Sequence, residues 1–161
     1  ELCSAVSMEC SKYGYEPVML TDQLCCQAKE AGSFLASIAK THCKSGKKLA
    51  YIAGGETVVN ITGHGKGGRN QEIALSAAEG IKGMSNAAVF SIGSDGTDGP
   101  TDAAGGYSDG DTAGVLKNKG IDIFEVLKNN DAYNALKLTE GLIITGPTGT
   151  NVNDVSVLLI G

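Results

Sequence analysis

Glycine, charge and hydroxyl groups concentrate in three stretches of this sequence. The first joins Gly54-Gly55-Glu56 to the run Gly63-His64-Gly65-Lys66-Gly67-Gly68-Arg69-Asn70-Gln71-Glu72. A glycine loop that runs into a helix leaves backbone N–H groups free at the positive helix end, where a phosphate or carboxylate is stabilised. Lys66 and Arg69 add formal charge there, and a guanidinium can hold an oxyanion through two parallel hydrogen bonds. Gly63, Gly65 and Gly68 satisfy GxGxxG, but the residues before them read as a hairpin, so the match is weak as a dinucleotide signature. No Lys-Ser or Lys-Thr follows at Walker spacing. A flexible turn with a solvated Lys and Arg explains the spacing alone about as well.

The second stretch is Ser94-Asp95-Gly96-Thr97-Asp98-Gly99-Pro100-Thr101-Asp102, continuing to Asp109 and Asp111. Five aspartates without an intervening Lys or Arg repel one another unless a cation offsets them. Such oxygen-rich loops suit Mg²⁺ or Ca²⁺, and a carboxylate just past a strand is placed for a ligand crevice. Asp95 and Asp98 are the favoured candidates, whereas Asp109 and Asp111 read as turn formers or helix caps. The spacing is not that of an EF-hand. In the third stretch, Thr145 to Asp154, the side chains of Thr148, Thr150, Asn151 and Asn153 offer hydroxyls and amides to phosphate oxygens or a polar substrate. Turn chemistry accounts for them equally. His42 continues an apolar helical face and reads as a core histidine. His64 lies in the glycine loop, where exposure explains it, and Tyr107 is placed either to stack on a base or to cover the core.

These loops sit in a chain of 161 residues with 42% hydrophobic and 19% charged side chains, enough for one domain with a real core. Disorder and a disulfide-stapled miniprotein are poor descriptions of it. Glycine stands out, at 23 residues, about twice ordinary usage. The net charge of −5 arises in the second half, because residues 1–80 balance 8 basic against 8 acidic side chains and residues 81–161 carry 5 against 10. Without clustered Lys and Arg, no nucleic-acid partner is expected. No apolar run approaches the roughly 18 residues of a membrane span. Cys3, Cys10, Cys25, Cys26 and Cys43 form no CxxC pair and suit reduced thiols in an intracellular protein. The chain opens with Glu1 directly into a helical pattern, so a piece of a longer protein is expected.

The elements that must position the loops follow from periodicity. Leu2 to Met8 suits a helix ended by Gly14, and Pro17 to Leu20 a short strand. Leu24, Ala28, Ala31, Leu35, Ile38 and His42 mark one helical face, with Thr21 or Asp22 to cap it and Gly46 to end it. Leu49 to Ala53 and the β-branched run Thr57 to Thr62 read as two adjacent strands joined by Gly54-Gly55. Ile73, Ala77 and Ile81 mark a helix whose first turn holds Asn70 and Glu72. Ala87 to Ile92 is a strand, Gly93 to Gly110 a loop, and helices are expected around 115–119, 124–128 and 131–138. Leu142 to Ile144 and Val155 to Ile160 close the domain as strands. Alternating strands and helices predict a three-layer α/β/α domain whose sheet is mixed and largely parallel.

Taken together and in order, Gly54-Gly55-Glu56-Thr57, Gly67-Gly68-Arg69-Asn70-Gln71-Glu72, Asp95-Gly96-Thr97-Asp98-Gly99 with Pro100 to Gly105, Asn130-Asp131-Ala132-Tyr133 and Thr145 to Asp154 resemble motifs of the MOFRL-type glycerate kinases, a family that also carries the label hydroxypyruvate reductase. The resemblance is strongest from about residue 48 to 160. It implies residues 1–47 as a helix-strand-helix segment leading in from an N-terminal domain and packed on the same unit, with 48–161 as the MOFRL-like domain. It also implies ATP- and Mg²⁺-dependent phosphorylation of D-glycerate, at its 2-hydroxyl, in a cleft between two domains. This chain alone would then be inactive, and the protein would be cytoplasmic or mitochondrial, without a nucleic-acid or membrane partner. Ala132 stands where a serine is common, and His64 is unusual in its loop.

Phosphoryl transfer asks a protein mostly for positioning and charge stabilisation. On that reading Arg69, with Lys66, Asn70 and the Gly65, Gly67 and Gly68 amides, takes the substrate carboxylate or the moving phosphoryl. Asp95 or Asp98 holds Mg²⁺ or accepts the hydroxyl proton, with Glu56 in reserve, and Thr148, Thr150, Asn151 and Asn153 touch substrate or phosphate. Two alternatives differ in class. An NAD(P)-dependent hydroxypyruvate reductase would seat a pyrophosphate on Gly63 to Gly68, but the next acidic candidate, Asp95, lies farther on than the roughly 20 residues such sites use. A non-enzymatic cation-binding module would rest on the aspartate loop alone.

Overall fold

A computed structural model describes all 161 residues. In chain order the elements are α1 (Leu2–Lys12), β1 (Glu16–Leu24), α2 (Ala28–His42), β2 (Leu49–Gly55), α3 (Arg69–Gly80), β3 (Ala87–Gly93), β4 (Gly105–Asp109), α4 (Thr112–Asn118), α5 (Ile123–Lys128), α6 (Ala132–Leu138), β5 (Leu142–Ile143) and β6 (Asp154–Ile160). The six strands form one sheet in the order β1-β2-β6-β3-β4-β5.

Alternation along the strands decides which helix covers which face. Leu49 and Tyr51 of β2, Val89 of β3 and Leu158 and Ile160 of β6 point to one side, where they pack with Leu35 and Ala39 of α2 and Ile73 and Ala77 of α3. Ile52, Val155 and Val157 point to the other side and meet Cys3 of α1. A third cluster joins Leu75 and Ala78 of α3 to Leu116, Ile123, Ala135 and Leu136, so the three short helices lean on the far flank of α3. The layers are therefore α1, the sheet, and the α2–α3 layer extended by α4 to α6. No helix is long and apolar enough to cross a membrane.

The sheet is mixed as expected, but not largely parallel. Only β1 and β2 pair in parallel; β2–β6, β6–β3, β3–β4 and β4–β5 are all antiparallel. The two crossovers β1-α2-β2 and β2-α3-β3 are what the alternation of patterns reported. The last strand then enters between β2 and β3 in the opposite direction, converting what would be a parallel pair into two antiparallel ones. The expected hairpin is also absent. Both edges of β2 are taken by β1 and β6, so residues 57–62 have no ladder to join, and one parallel bridge from Val58 to Gln27 is all they make. Leu24 ends β1 rather than opening α2, because β1 stays paired as far as Leu24 opposite Gly55 through two irregular steps. The stretch read as loop from 93 to 110 contains β4, whose Gly105 and Gly106 hide it from a hydrophobic pattern.

Candidate functional site

The C-terminal ends of β1, β2 and β3 and the start of β6 share one edge of the sheet, the position where open α/β sheets place ligands. Asp154, the first residue of β6, is in register with Gly55 on one side and Gly93 on the other. The first turn of α3 points at the same edge. A cavity of about 590 Å³ opens there, lined by Gly63, Gly65, Gly67, Gly68, Arg69 and Glu72, by Asp95 to Pro100 in part, and by Val58, Val59 and Ile61.

Arg69 starts α3 and is held by two carboxylates. Its Nε and Nη2 donate to Asp154 at 2.5 and 3.3 Å, and Nη1 lies 2.9 Å from Glu56. Asp154 is buried and Arg69 is about one-third exposed, so the fork is fixed from beneath while its rim faces the cavity. A guanidinium carries five N–H groups, which leaves donors for a ligand. The hydrogen bond to Asp154 is the main reason that the Arg69 pKa lies above its ordinary value. Gly93 is required by the turn that follows β3: a Cβ there would stand 2.7 Å from the Thr97 carbonyl oxygen, and 3.2 and 3.3 Å from Asp95 Oδ1 and Asp154 Oδ1, so the two carboxylates flank one point.

Asp98, expected to bind metal or accept a proton, is engaged at the start of α3. Only 2% exposed, it caps α3, accepting from the backbone N–H of Asn70 (3.1 Å) and Gln71 (2.9 Å) and from both their side-chain amides. Burial pushes its carboxyl above the usual range against these donors, which pull the other way. Asn70 is equally committed. Its Oδ1 accepts from Ser91 Oγ at 2.5 Å, Ser91 in turn meets Ser156 at 2.8 Å, and the residue is 1% exposed. Asn70 therefore cannot touch a ligand without breaking this chain. A Cβ on Gly68 would collide with the Asp98 carboxyl group, which explains the glycine.

The glycine loop is not an open amide cradle along its whole length. Asn130 Oδ1 accepts from Thr62 and Gly63, Asn129 takes His64 and Gly65, and Asp131 Oδ1 takes Lys66. The amides of Gly67 and Gly68, next to Arg69, donate to no protein acceptor. Lys66 turns away: its Nζ sits 3.9 Å over the ring of Tyr133, whose hydroxyl donates to Asp102 at 2.8 Å.

Asp95 lines the cavity, with Oδ1 accepting from Thr97 N at 2.9 Å. Its backbone carbonyl accepts from Thr148 N, and Thr148 Oγ1 donates to Ser94 O, so the second and third stretches are stitched together. Thr148, Thr150 and Asn151 are exposed and outside the cavity wall. Asn153 borders a smaller hollow of about 240 Å³ beside Gly54 and the first residues of α1. No three His, Cys, Asp or Glu side chains are grouped to hold a metal ion. His42 packs at 5.4 Å from the Tyr51 ring, and the Tyr107 hydroxyl donates to Asp109 at 2.7 Å.

The structure thus brings Gly65, Gly67, Gly68, Arg69, Asp95 and Asp98 to one cavity, with Glu56 joined through Arg69, and leaves Lys66, Asn70, Thr148, Thr150, Asn151 and Asn153 off its wall. Sequence reasoning missed Asp154 as the seat of Arg69, Asn130 as the pin of the glycine loop, and Glu72 as a cavity residue. Asp154 had a signal, an acid at the start of an apolar strand; the others depend on pairings across more than 50 residues.

Comparison with known proteins shows the family and the fold. The profile described as the MOFRL family matches residues 49–154. The D-glycerate 2-kinase of Thermotoga maritima is 51% identical over 99% of this chain, which covers 39% of that relative. The glycerate 2-kinase of Pyrococcus horikoshii is 45% identical over 98% of the chain, covering 37% of the relative. A crystal structure of glycerate kinase from Thermotoga maritima superposes with a TM-score of 0.94 at 51% identity, over 99% of this chain and 39% of that one. The chain thus spans about two-fifths of the length of these relatives.

Proposed function

The chain belongs to the MOFRL family, and from that premise we propose that it forms the C-terminal part of a kinase that transfers the γ-phosphoryl group of ATP to D-glycerate, at the 2-hydroxyl, in a cleft shared with the additional part that the relatives carry. Residues 1–47 are proposed to lead in from that part and 48–161 to be the MOFRL domain itself. The observation that carries the reading is local. Arg69, Asp95 and the glycines 67 and 68, whose amides have no protein acceptor, line one cavity, which offers an anionic ligand donors and its counter-cation a carboxylate. Donors fixed before the reaction stabilise a transferring phosphoryl group without reorganising.

Mg²⁺ suits this donor set, since that ion is commonly held by one or two carboxylates with the remaining oxygens from phosphates and water. Asp95 is the residue proposed to hold it, because the oxygens of Asp98 are committed to α3 and Glu56 and Asp154 to Arg69. When bound, the ion would neutralise the negative charge that develops on the transferring phosphoryl group. Arg69 binds and orients the anion, the Gly67 and Gly68 amides fix its depth, and Asp154 keeps the guanidinium in place. The Gly63 to Gly65 amides, already bonded to residues 129 and 130, do not form the pyrophosphate seat that a nicotinamide-dependent reductase needs.

The test is a coupled ADP-release assay on the full-length protein with ATP and D-glycerate, run beside nicotinamide oxidation with hydroxypyruvate. Arg69→Ala is expected to lower kcat/KM by on the order of 10³-fold, comparable to losing an oxyanion donor or arginine finger. Unaltered kinetics would remove Arg69 from the site, and nicotinamide turnover without ADP release would favour the reductase.

A further inference from the structure

Glu72 lies one turn along α3 from Arg69, on the same helix face, and lines the same cavity although it is only 4% exposed. One of its carboxylate oxygens, Oε1, accepts from Asn130 Nδ2 at 2.9 Å, and the other has no hydrogen-bond partner in the protein. The same Asn130 pins the glycine loop through Thr62 and Gly63, so the Glu72 carboxylate is held in a fixed pose relative to the free amides of Gly67 and Gly68. A buried carboxylate with one anchored and one unclaimed oxygen, beside an anion seat, is arranged to receive a hydrogen bond from a ligand hydroxyl.

Resting on the kinase reading above, we propose that Glu72 is a catalytic residue that binds the attacking hydroxyl of the acceptor and takes its proton. As the hydroxyl oxygen bonds to the γ-phosphorus, the bond from that phosphorus to the β,γ-bridging oxygen breaks. The electron pair leaves with ADP, and the hydroxyl proton passes to Glu72 Oε2, from which it is later lost to water. Asp95 is then free for the cation, and the proton and the metal fall to different carboxylates. Burial raises the Glu72 carboxyl above its ordinary range, with Asp98 adding to the rise while the Asn130 hydrogen bond and Lys29 of α2 oppose it. A base in that range is better matched to neutral pH than an exposed carboxylate.

Glu72→Gln keeps an acceptor for Asn130 and removes only the ability to take a proton. In the full-length protein, with ADP release and ³¹P NMR of the product followed across pH, kcat of the Glu72→Gln variant is expected to fall by on the order of 10²–10⁴-fold. The acid limb of the wild-type kcat profile should disappear, with KM for glycerate changed far less. Glu72→Asp should keep an acid limb but move it to lower pH. Wild-type kcat with an unchanged profile in Glu72→Gln, or, should that variant not fold, an unmoved limb in Glu72→Asp, overturns the assignment and leaves the kinase intact. A wild-type protein without glycerate-dependent ADP release overturns the kinase reading itself, and this assignment with it.

Discussion

Asp98 and Glu72 are both buried acids beneath one cavity, and burial raises both, yet they should respond to amide substitution in opposite ways. Asp98 accepts from four N–H donors, and an amide placed there would turn its own N–H groups toward some of them. Asp98→Asn is expected to destabilise the domain by about 2 kcal/mol, the sum of a lost cap and frustrated buried donors, as read from denaturant unfolding. Glu72 meets a single donor. A carboxyl whose folded pKa is raised contributes stability that is full below the unfolded value and is lost as pH rises through the folded one. The amide of the Glu72→Gln variant has no such loss. Thermal unfolding of Glu72→Gln and wild type should therefore coincide in acid and diverge toward neutral pH with the variant the more stable. A gap that stays constant with pH would show that Glu72 is not strained by burial.

The helices α2 and α3 approach so closely that Gly32 has no room for a methyl group. A Cβ there would overlap Ser76 Oγ and the Ile73 carbonyl oxygen. Gly32→Ala raises helix propensity but forces the pair apart, and a net loss of about 1–3 kcal/mol in urea unfolding is expected. The α3 helix itself was legible, since Ile73, Ala77 and Ile81 all face the core as their spacing predicts. So were β3 and β6, whose apolar runs fit strands covered on both faces, nearly completely in β6 and only partly on one face of β3. What could not be read is partnership. Thr57 to Ile61 has every β-branched residue a strand wants, but strand formation depends on a free edge, and β2 has none. That Arg69 and Asp95 reach one cavity could be expected from residue type and position. Asp98 could not be told from Asp95, because the difference is which carboxylate turns toward the helix end, and nothing in a local Asp-Gly pattern encodes that.

At the scale of the molecule, β6 is the strand that unites the rest. It pairs with β2 on one side and β3 on the other, and it supplies Leu158 to the core and Asp154 to the site. Leu158 is fully buried, so Leu158→Ala should cost about 2–5 kcal/mol, measured by denaturant unfolding, and the same variant should weaken both flanking ladders in hydrogen exchange. Protection lost on only one side would mean that the two halves of the sheet are held together by α3 rather than by the strand between them.

Because β6 follows all its neighbours in the chain, a growing polypeptide on the ribosome makes β2 and β3 long before it makes the strand that belongs between them. Until those residues clear the exit tunnel, both inner edges stay open and Arg69 has no Asp154 to rest on. Assembly of the Arg69–Asp154 pair is therefore among the last events in the maturation of the domain, and a nascent chain stalled upstream of residue 154 can present neither a closed sheet nor that pair.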